Sequence, residues 1–181
     1  MAWQIDPVHT QIEFAAKYMM ATTVKGQFKK FSGVFNFDEQ HHEKSDFEVT
    51  IETASLDSGN DYRDGHLKSA DLLDAEHYPT ITYKSKKVEK IDDTHYLVTG
   101  DLTIRGATHE LPLKITYGGL IPKDMRGNRR TMFSTKASIS RKKWGLTWNM
   151  ALETGGFLVS DKINIGIEAH VVEPAAVPAN A

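Results

Sequence analysis

Apolar and polar residues alternate along most of the chain, and this period of two predicts strands with one buried and one solvated face. Within residues 12–18, Ile12, Phe14, Ala16 and Tyr18 share one side while Glu13 and Lys17 take the other. Val24, Gly26 and Phe28 continue the alternation, and Phe31, Gly33, Phe35 and Phe37 repeat it. Phe47, Val49, Ile51 and Thr53 form the next inward row, followed by Ile81 and Tyr83. In the second half Val98, Gly100, Leu102 and Ile104 alternate with polar neighbours up to an Arg105-Gly106 turn, after which Leu111, Leu113, Ile115 and Tyr117 resume. Gly118-Gly119 is expected to break that run, and residues 126–130 read as a basic loop. Phe133, Thr135, Ala137 and Ile139 follow, and Ile163, Ile165, Ile167, Ala169 and Val171 give the clearest strand.

Residues 58–74 lack alternation and carry Ser, Asn and Asp where helix caps are wanted, which predicts two short helical turns at 61–68 and 70–74. Leu67, Leu72 and Leu73 are their expected buried contacts, and Pro79 suits the start of the next strand. About eight amphipathic strands must hide one apolar face and two edges. Closure into an antiparallel barrel does both, with a two-sheet sandwich as the competing solution. The predicted fold is therefore all-β: an eight-stranded antiparallel up-and-down barrel with a short helical insertion around residues 61–74. Its inward face mixes bulky Phe14, Phe28, Phe35 and Tyr83 with small Gly26, Gly33, Gly100 and Ala137, a combination expected to leave uneven space for a tunnel.

With 181 residues, 40% hydrophobic and 25% charged, the chain suits one domain, placed at residues 1–173, with a flexible Pro- and Ala-rich tail at 174–181. A formal net charge of -2 gives no field for nucleic acid, and none is expected as a partner. The sequence contains no Cys, which removes thiolate metal sites and thiol nucleophiles. No apolar run reaches the roughly 18 residues of a spanning helix. The opening Met-Ala-Trp-Gln-Ile-Asp does not read as a secretory leader, so the expected location is cytoplasmic.

Residues 3–10 (WQIDPVHT), 24–28 (VKGQF), 63–67 (RDGHL) and 78–85 (YPTITYKS) resemble successive blocks of the YceI-like polyisoprenoid-binding family. So do 100–106 (GDLTIRG), 141–146 and 159–168, and the likeness runs from about residue 3 to 173. The resemblance implies a lipocalin-like barrel whose apolar pore holds an isoprenoid chain, such as a polyprenol, polyprenyl phosphate or isoprenoid quinone. It also allows homodimers. The expected function is non-catalytic binding, sequestration or transport of such a lipid.

The inward residues Phe14, Tyr18, Val24, Phe28, Phe35, Val49, Ile51, Ile81, Tyr83, Leu102, Ile104, Leu113, Phe133 and Ile165, with Trp144, are the candidate ligand contacts, because a polyprenyl chain offers only apolar area. Ordinary core packing is the alternative role for each. Arg63, Asp64 and His66 raise acid-base chemistry, but their spacing suits pinning the helical segment to the barrel end, and no catalytic residue is assigned. Eight His residues include the pair His41-His42 but no ligand spacing on a helix or strand, so neither metal nor cofactor is expected. His9 is a candidate cap on the barrel interior.

Lys29-Lys30, Arg126 with Arg129-Arg130, and Arg141 to Lys143 could meet a phosphate head or simply be solvated charge. Trp144 and Trp148 leave room for a transient membrane-surface contact. Two alternatives remain at this level: an enzyme acting on an apolar substrate, and a dimeric structural stress protein with a filled barrel.

Overall fold

The alternating runs form strands, but the first three strands of the ring are each broken in two. In this computed structural model, which describes residues 3–175, β1 (Trp3–Ile5) and β2 (Gln11–Tyr18) are halves of one strand interrupted at residues 6–10. β3 (Thr22–Phe28) and β4 (Phe31–Asn36) are split at Lys29-Lys30, and β5 (Asp46–Glu52) and β6 (Leu56–Asp57) by a tight turn at Thr53–Ser55. The remaining five are continuous: β7 (Thr80–Lys90), β8 (His95–Ile104), β9 (Ala107–Ile121), β10 (Arg129–Ser140) and β11 (Lys162–Glu173).

Each strand pairs antiparallel with its successor, and β11 closes the ring by pairing with β1 (Ile5 opposite Val171) and with β2 (Ile12 opposite Ile167). The result is an eight-stranded antiparallel barrel built from eleven segments. β1 starts and β11 finishes at one end, here called the terminal end. The turns into β3, β7, β9 and β11 lie at the other, the helical end. β6 covers β3 only at Gln27 and Phe28, so the tip of the β2–β3 hairpin projects past its neighbour.

The segment after β6 begins with α1 (Asp61–Lys68), which matches the predicted span. The Asn60 side chain accepts the Arg63 backbone N–H at 2.9 Å and so caps the first turn. The second predicted turn, at 70–74, is not helical. Ser69 is extended at φ -73°, ψ 170°, and Asp74 lies at φ 48°, so the chain descends through successive hydrogen-bonded turns instead. Leu72 is buried there, with Leu67 and Leu73 packed beside it.

Two irregularities correct the sequence-based boundaries. Gly118-Gly119 does not end a strand: β9 runs on to Ile121 with an extra residue opposite β10, and Gly119 adopts φ 96° in that bulge. Thr131 donates its hydroxyl to the Gly119 carbonyl at 2.8 Å and holds the bulge. On β7 a second shift around Lys86 changes the parity, so that Val88 borders the interior although Ile81, Tyr83 and Ser85 fix the opposite parity before it. Arg105 and Gly106 both have positive φ, the two-residue turn that matches strand twist. Of the expected tail, residues 176–181 lie outside the described residues.

Candidate functional site

The inward rows enclose an apolar cavity of about 300 Å³. Its wall extends from Leu67, Leu72, Leu146 and Val159 at the helical end to Phe37, His42 and Tyr96 at the terminal end, so it follows the barrel axis. The volume falls at the lower edge of the range for small-molecule sites, about 300–1,000 Å³.

Most of the predicted contacts come together here. Phe14 of β2, Phe28 of β3 and Phe35 of β4 line the wall with Val49 and Ile51 of β5 and with Ile81 and Tyr83 of β7. Leu102 and Ile104 of β8, Leu113 of β9, Phe133 of β10 and Ile165 of β11 complete that set. Three lie outside it. Tyr18 and Val24 sit on the part of the β2–β3 hairpin that β6 does not cover, and neither borders the cavity. Trp144 is buried, but its indole N–H donates to the Leu102 carbonyl at 2.9 Å and its ring meets His109 edge-on, so it packs as core.

Sequence reasoning missed several lining residues. Ile5 belongs to a three-residue strand too short to show a period, although Trp3 beside it is one of the most buried side chains. Tyr96 lies on the face of β8 that Val98 continues, and the start of that strand at His95 precedes the first residue of the predicted run. His42 comes from the β4–β5 connection, which no periodicity describes. It packs edge-on against Tyr96 and Tyr117 and beside Phe37, and its Nδ1 lies 2.5 Å from the Tyr96 hydroxyl.

The polar residues around the interior fall into two groups. Tyr83 donates its hydroxyl to the Leu111 carbonyl and Thr135 to that of Lys114, each at 2.8 Å, and burial pushes the Tyr83 phenol well above its ordinary pKa. Arg141 is buried and each of its guanidinium nitrogens donates to a main-chain oxygen. Nε donates to Ser160 at 2.9 Å, one terminal nitrogen to Leu146 at 2.5 Å and Trp148 at 2.9 Å, and the other to Val159 at 3.3 Å. Desolvation lowers its pKa from the usual arginine value. Its role is to tie the long 141–161 connection to the barrel. His42 and Tyr96 bond each other, with no main-chain partner for either side chain among the described residues.

The other sequence candidates serve the scaffold. Asp64 is buried and accepts the Ser58 N–H at 2.9 Å and the Ser58 hydroxyl, while Arg63 donates to the Ser58 hydroxyl and carbonyl at 2.7 and 2.6 Å. This closed loop fixes the entry to α1. His66 bonds Asp71 at 3.1 Å and packs its ring edge-on over Trp148, joining the helix to the 141–161 connection. His9 bonds Asp6 at 2.8 Å beside His170 and does not border the cavity.

Three members of the basic clusters form ion pairs. Lys29 meets Asp57 at 2.5 Å, Arg129 meets Glu39 and Glu173, and Arg130 meets Asp6 at 2.7 Å and Asp124 at 3.0 Å.

Comparison with known proteins agrees with this architecture. A UPF0312 protein of Staphylococcus epidermidis is 33% identical over 168 residues, covering 93% of this chain and 95% of that protein. A UPF0312 protein of Staphylococcus aureus is 33% identical over 165 residues, 91% of this chain and 94% of its own length. Among solved structures, the Campylobacter jejuni YceI protein superposes with a TM-score of 0.76 at 34% identity, covering 88% of this chain and 90% of that one. Burkholderia cenocepacia BcnA gives 0.78 at 25% identity over 94% and 99%. A polyisoprenoid binding domain from Saccharophagus degradans shares the fold, with a TM-score of 0.74 at 14% identity over 96% and 99%. The match to the YceI-like domain spans residues 3–171, from the first strand of the ring to the last, and the chain belongs to that family.

Proposed function

We propose that the protein binds a long apolar chain of isoprenoid type inside the barrel and sequesters or carries it without chemistry of its own. The candidates are a polyprenol, a polyprenyl phosphate or an isoprenoid quinone. The observation that carries this reading is the cavity itself, whose wall of aliphatic and aromatic side chains follows the barrel axis. At about 25 cal/mol per Å², each ~300 Å² of chain surface removed from water contributes about 7 kcal/mol, so affinity needs few directed contacts. The same fold serves as a polyisoprenoid binding domain in Saccharophagus degradans, which supports the architecture for this task. Arg63, Asp64 and His66, the residues best suited to acid-base work, are tied to Ser58, Asp71 and Trp148.

The test is extraction of protein purified without detergent, followed by mass spectrometry of the organic phase and titration of delipidated protein with polyprenols and quinones. A prenyl lipid in the extract, or saturable binding of one of these lipids, is the expected result. An extract free of lipid together with no binding of any added chain would sink the reading.

A further inference from the structure

Two hairpins at the helical end form a flap on the barrel. The β2–β3 turn lies beside a short hairpin in the 141–161 connection, in which Ala151 bridges Phe157 and the Leu158 N–H donates to the Met150 carbonyl at 2.9 Å. The two are stitched together. Tyr18 bridges Val159, the Met19 N–H donates to the Leu158 carbonyl at 2.8 Å, and the Ser160 N–H donates to the Lys17 carbonyl at 3.0 Å. The Asn149 side chain accepts the Val159 N–H at 3.0 Å and donates to the Val159 carbonyl at 2.7 Å, which fixes the base of the second hairpin. Val159 also borders the cavity, so the flap continues its wall.

This flap exposes apolar side chains that its own folding does not call for. Met19, Met20, Met150 and Phe157 are each more than half exposed. Met19 and Met20 stand at φ 51° and 67°, the central positions of a turn closed by the Ala21 N–H on the Tyr18 carbonyl at 3.2 Å. Hairpins favour Asn or Gly at such positions, because bulkier side chains are strained at positive φ. Two consecutive methionines therefore oppose the turn, and they bury little. Phe157 shares a face with Tyr18 and Val159, Met150 takes the opposite face, and the two methionines close the end. A folded partner would cover one face, whereas apolar groups on both faces and the end suit a fluid medium that surrounds them.

The charges on these segments fit a lipid surface. Besides the buried Arg141, the cations are Lys17, Lys142 and Lys143, all exposed, and Lys142 Nζ stands 5.8 Å from the centre of the Phe157 ring. The carboxylates are Asp161, which accepts the Ser140 hydroxyl at 2.6 Å and the Lys142 N–H at 3.2 Å, and Glu153, exposed in the outer turn. Three ammonium groups thus stand behind the apolar tip against two carboxylates, one of them occupied by its neighbours. Apolar side chains that reach the acyl boundary while lysines stay among phosphates are the pattern of an interfacial contact with anionic lipid. We infer that the flap docks on an anionic bilayer through Met19, Met20, Met150 and Phe157, with Lys17, Lys142 and Lys143 at the headgroups. This goes beyond the reading of the barrel as a chain binder, and its test needs no chain in the cavity.

The experiment is flotation of the purified protein with two kinds of vesicle, phosphatidylcholine alone and phosphatidylcholine mixed with phosphatidylglycerol. The protein should float with the mixed vesicles, more weakly with the neutral ones, and less well as salt is raised. Met19→Asn combined with Met20→Gly gives the turn the residues it favours and removes the apolar end. It should lower binding to the mixed vesicles by about tenfold and leave the thermal midpoint unchanged or raised. Lys142→Gln should weaken binding to the mixed vesicles by about fivefold, and Glu153→Gln should strengthen it. Met125→Ser, at a fully exposed site in the β9–β10 turn of the terminal end, is the control and should change nothing.

Flotation of the double variant as strong as that of the parent, or an equal loss from Met125→Ser, would overturn the inference. So would a parent that floats with neither kind of vesicle. If that parent sediments as a dimer that the double variant lacks, the flap joins two copies of the chain instead. Binding of polyprenols or quinones in solution without any flotation removes the docking surface alone, and flotation without such binding removes only the reading of the barrel as a chain binder.

Discussion

Interior glycines in this barrel lie under aromatic rings. A Cβ added at Gly100 would stand 2.5 Å from Tyr83 Cζ and 2.7 Å from the Lys84 carbonyl, and one at Gly26 would stand 2.3 Å from Phe14 Cζ. Alternation identifies both glycines as inward-facing, and from that they were expected to leave space. The structure corrects this, because each is the floor on which a neighbouring ring rests. Which ring covers which glycine depends on register: Phe14 pairs directly with Gly26, whereas Tyr83 reaches Gly100 diagonally from its neighbour strand. Gly100→Ala should therefore destabilise the fold by about 1–3 kcal/mol, because backbone as well as ring would have to move. The thermal midpoint should fall by roughly 2–4 °C per kcal/mol. Gly65→Ala, in α1 with open space around it, is the matched control and should leave the midpoint unchanged or raise it. Equal midpoints for the two variants would contradict the ring-on-glycine account.

At the level of elements, the break between β1 and β2 is held by charge. The Asp6 carboxylate accepts from Arg130 at 2.7 Å, His9 at 2.8 Å and the Val8 N–H at 3.0 Å, while its own N–H donates to the His170 carbonyl at 2.7 Å. Burial pushes the Asp6 carboxyl up, but the hydrogen bonds from Arg130, His9 and Val8, with the Arg130 charge, outweigh it and bring the pKa from 3.8 to about 2. A carboxylate with a depressed native pKa stabilises the fold above its unfolded value, near 4, and that contribution disappears as pH falls through about 2. His170 acts in the same direction: burial, the Arg130 charge and His9 lower its pKa, so the native state resists protonation and loses stability as pH falls below the ordinary histidine range.

Asp6→Asn should lower stability at pH 7 by about 2 kcal/mol, and the deficit should shrink toward zero near pH 2. Urea unfolding of both proteins across pH 2 to 7 measures this, and parallel curves would refute it. The chemistry of this joint was not legible in the sequence. Asp6 and Arg130 are 124 positions apart, and their pairing depends on closure of the ring. α1, by contrast, was legible to the residue, because a helix and its cap are decided within one turn of chain.

For the whole molecule, alternation supplied the number of strands and the face each buries, and the family resemblance supplied the barrel. It could not supply the interruptions of the first three strands or the bulges at Lys86 and Gly118-Gly119, because a parity change looks like a strand end when read along the chain. It also could not place His42, whose position comes from a connection that folds back over the terminal end of the cavity.

The seam where the ring closes carries one more consequence. Gln4 pairs with Val172 and Ile5 with Val171, so the first and last strands are neighbours and the order of the strands around the barrel is cyclic. For such a ring the point at which the polypeptide is cut is close to arbitrary. A circular permutant that joins residue 175 to residue 3 through a flexible linker and opens in the 91–94 turn keeps every strand pair. It should give the same circular dichroism spectrum and the same lipid binding as the parent. A permutant that failed to fold would mean that the β1–β11 seam must form between the two ends of an uncut chain, which would make the order of assembly, and not the finished ring, the property the sequence encodes.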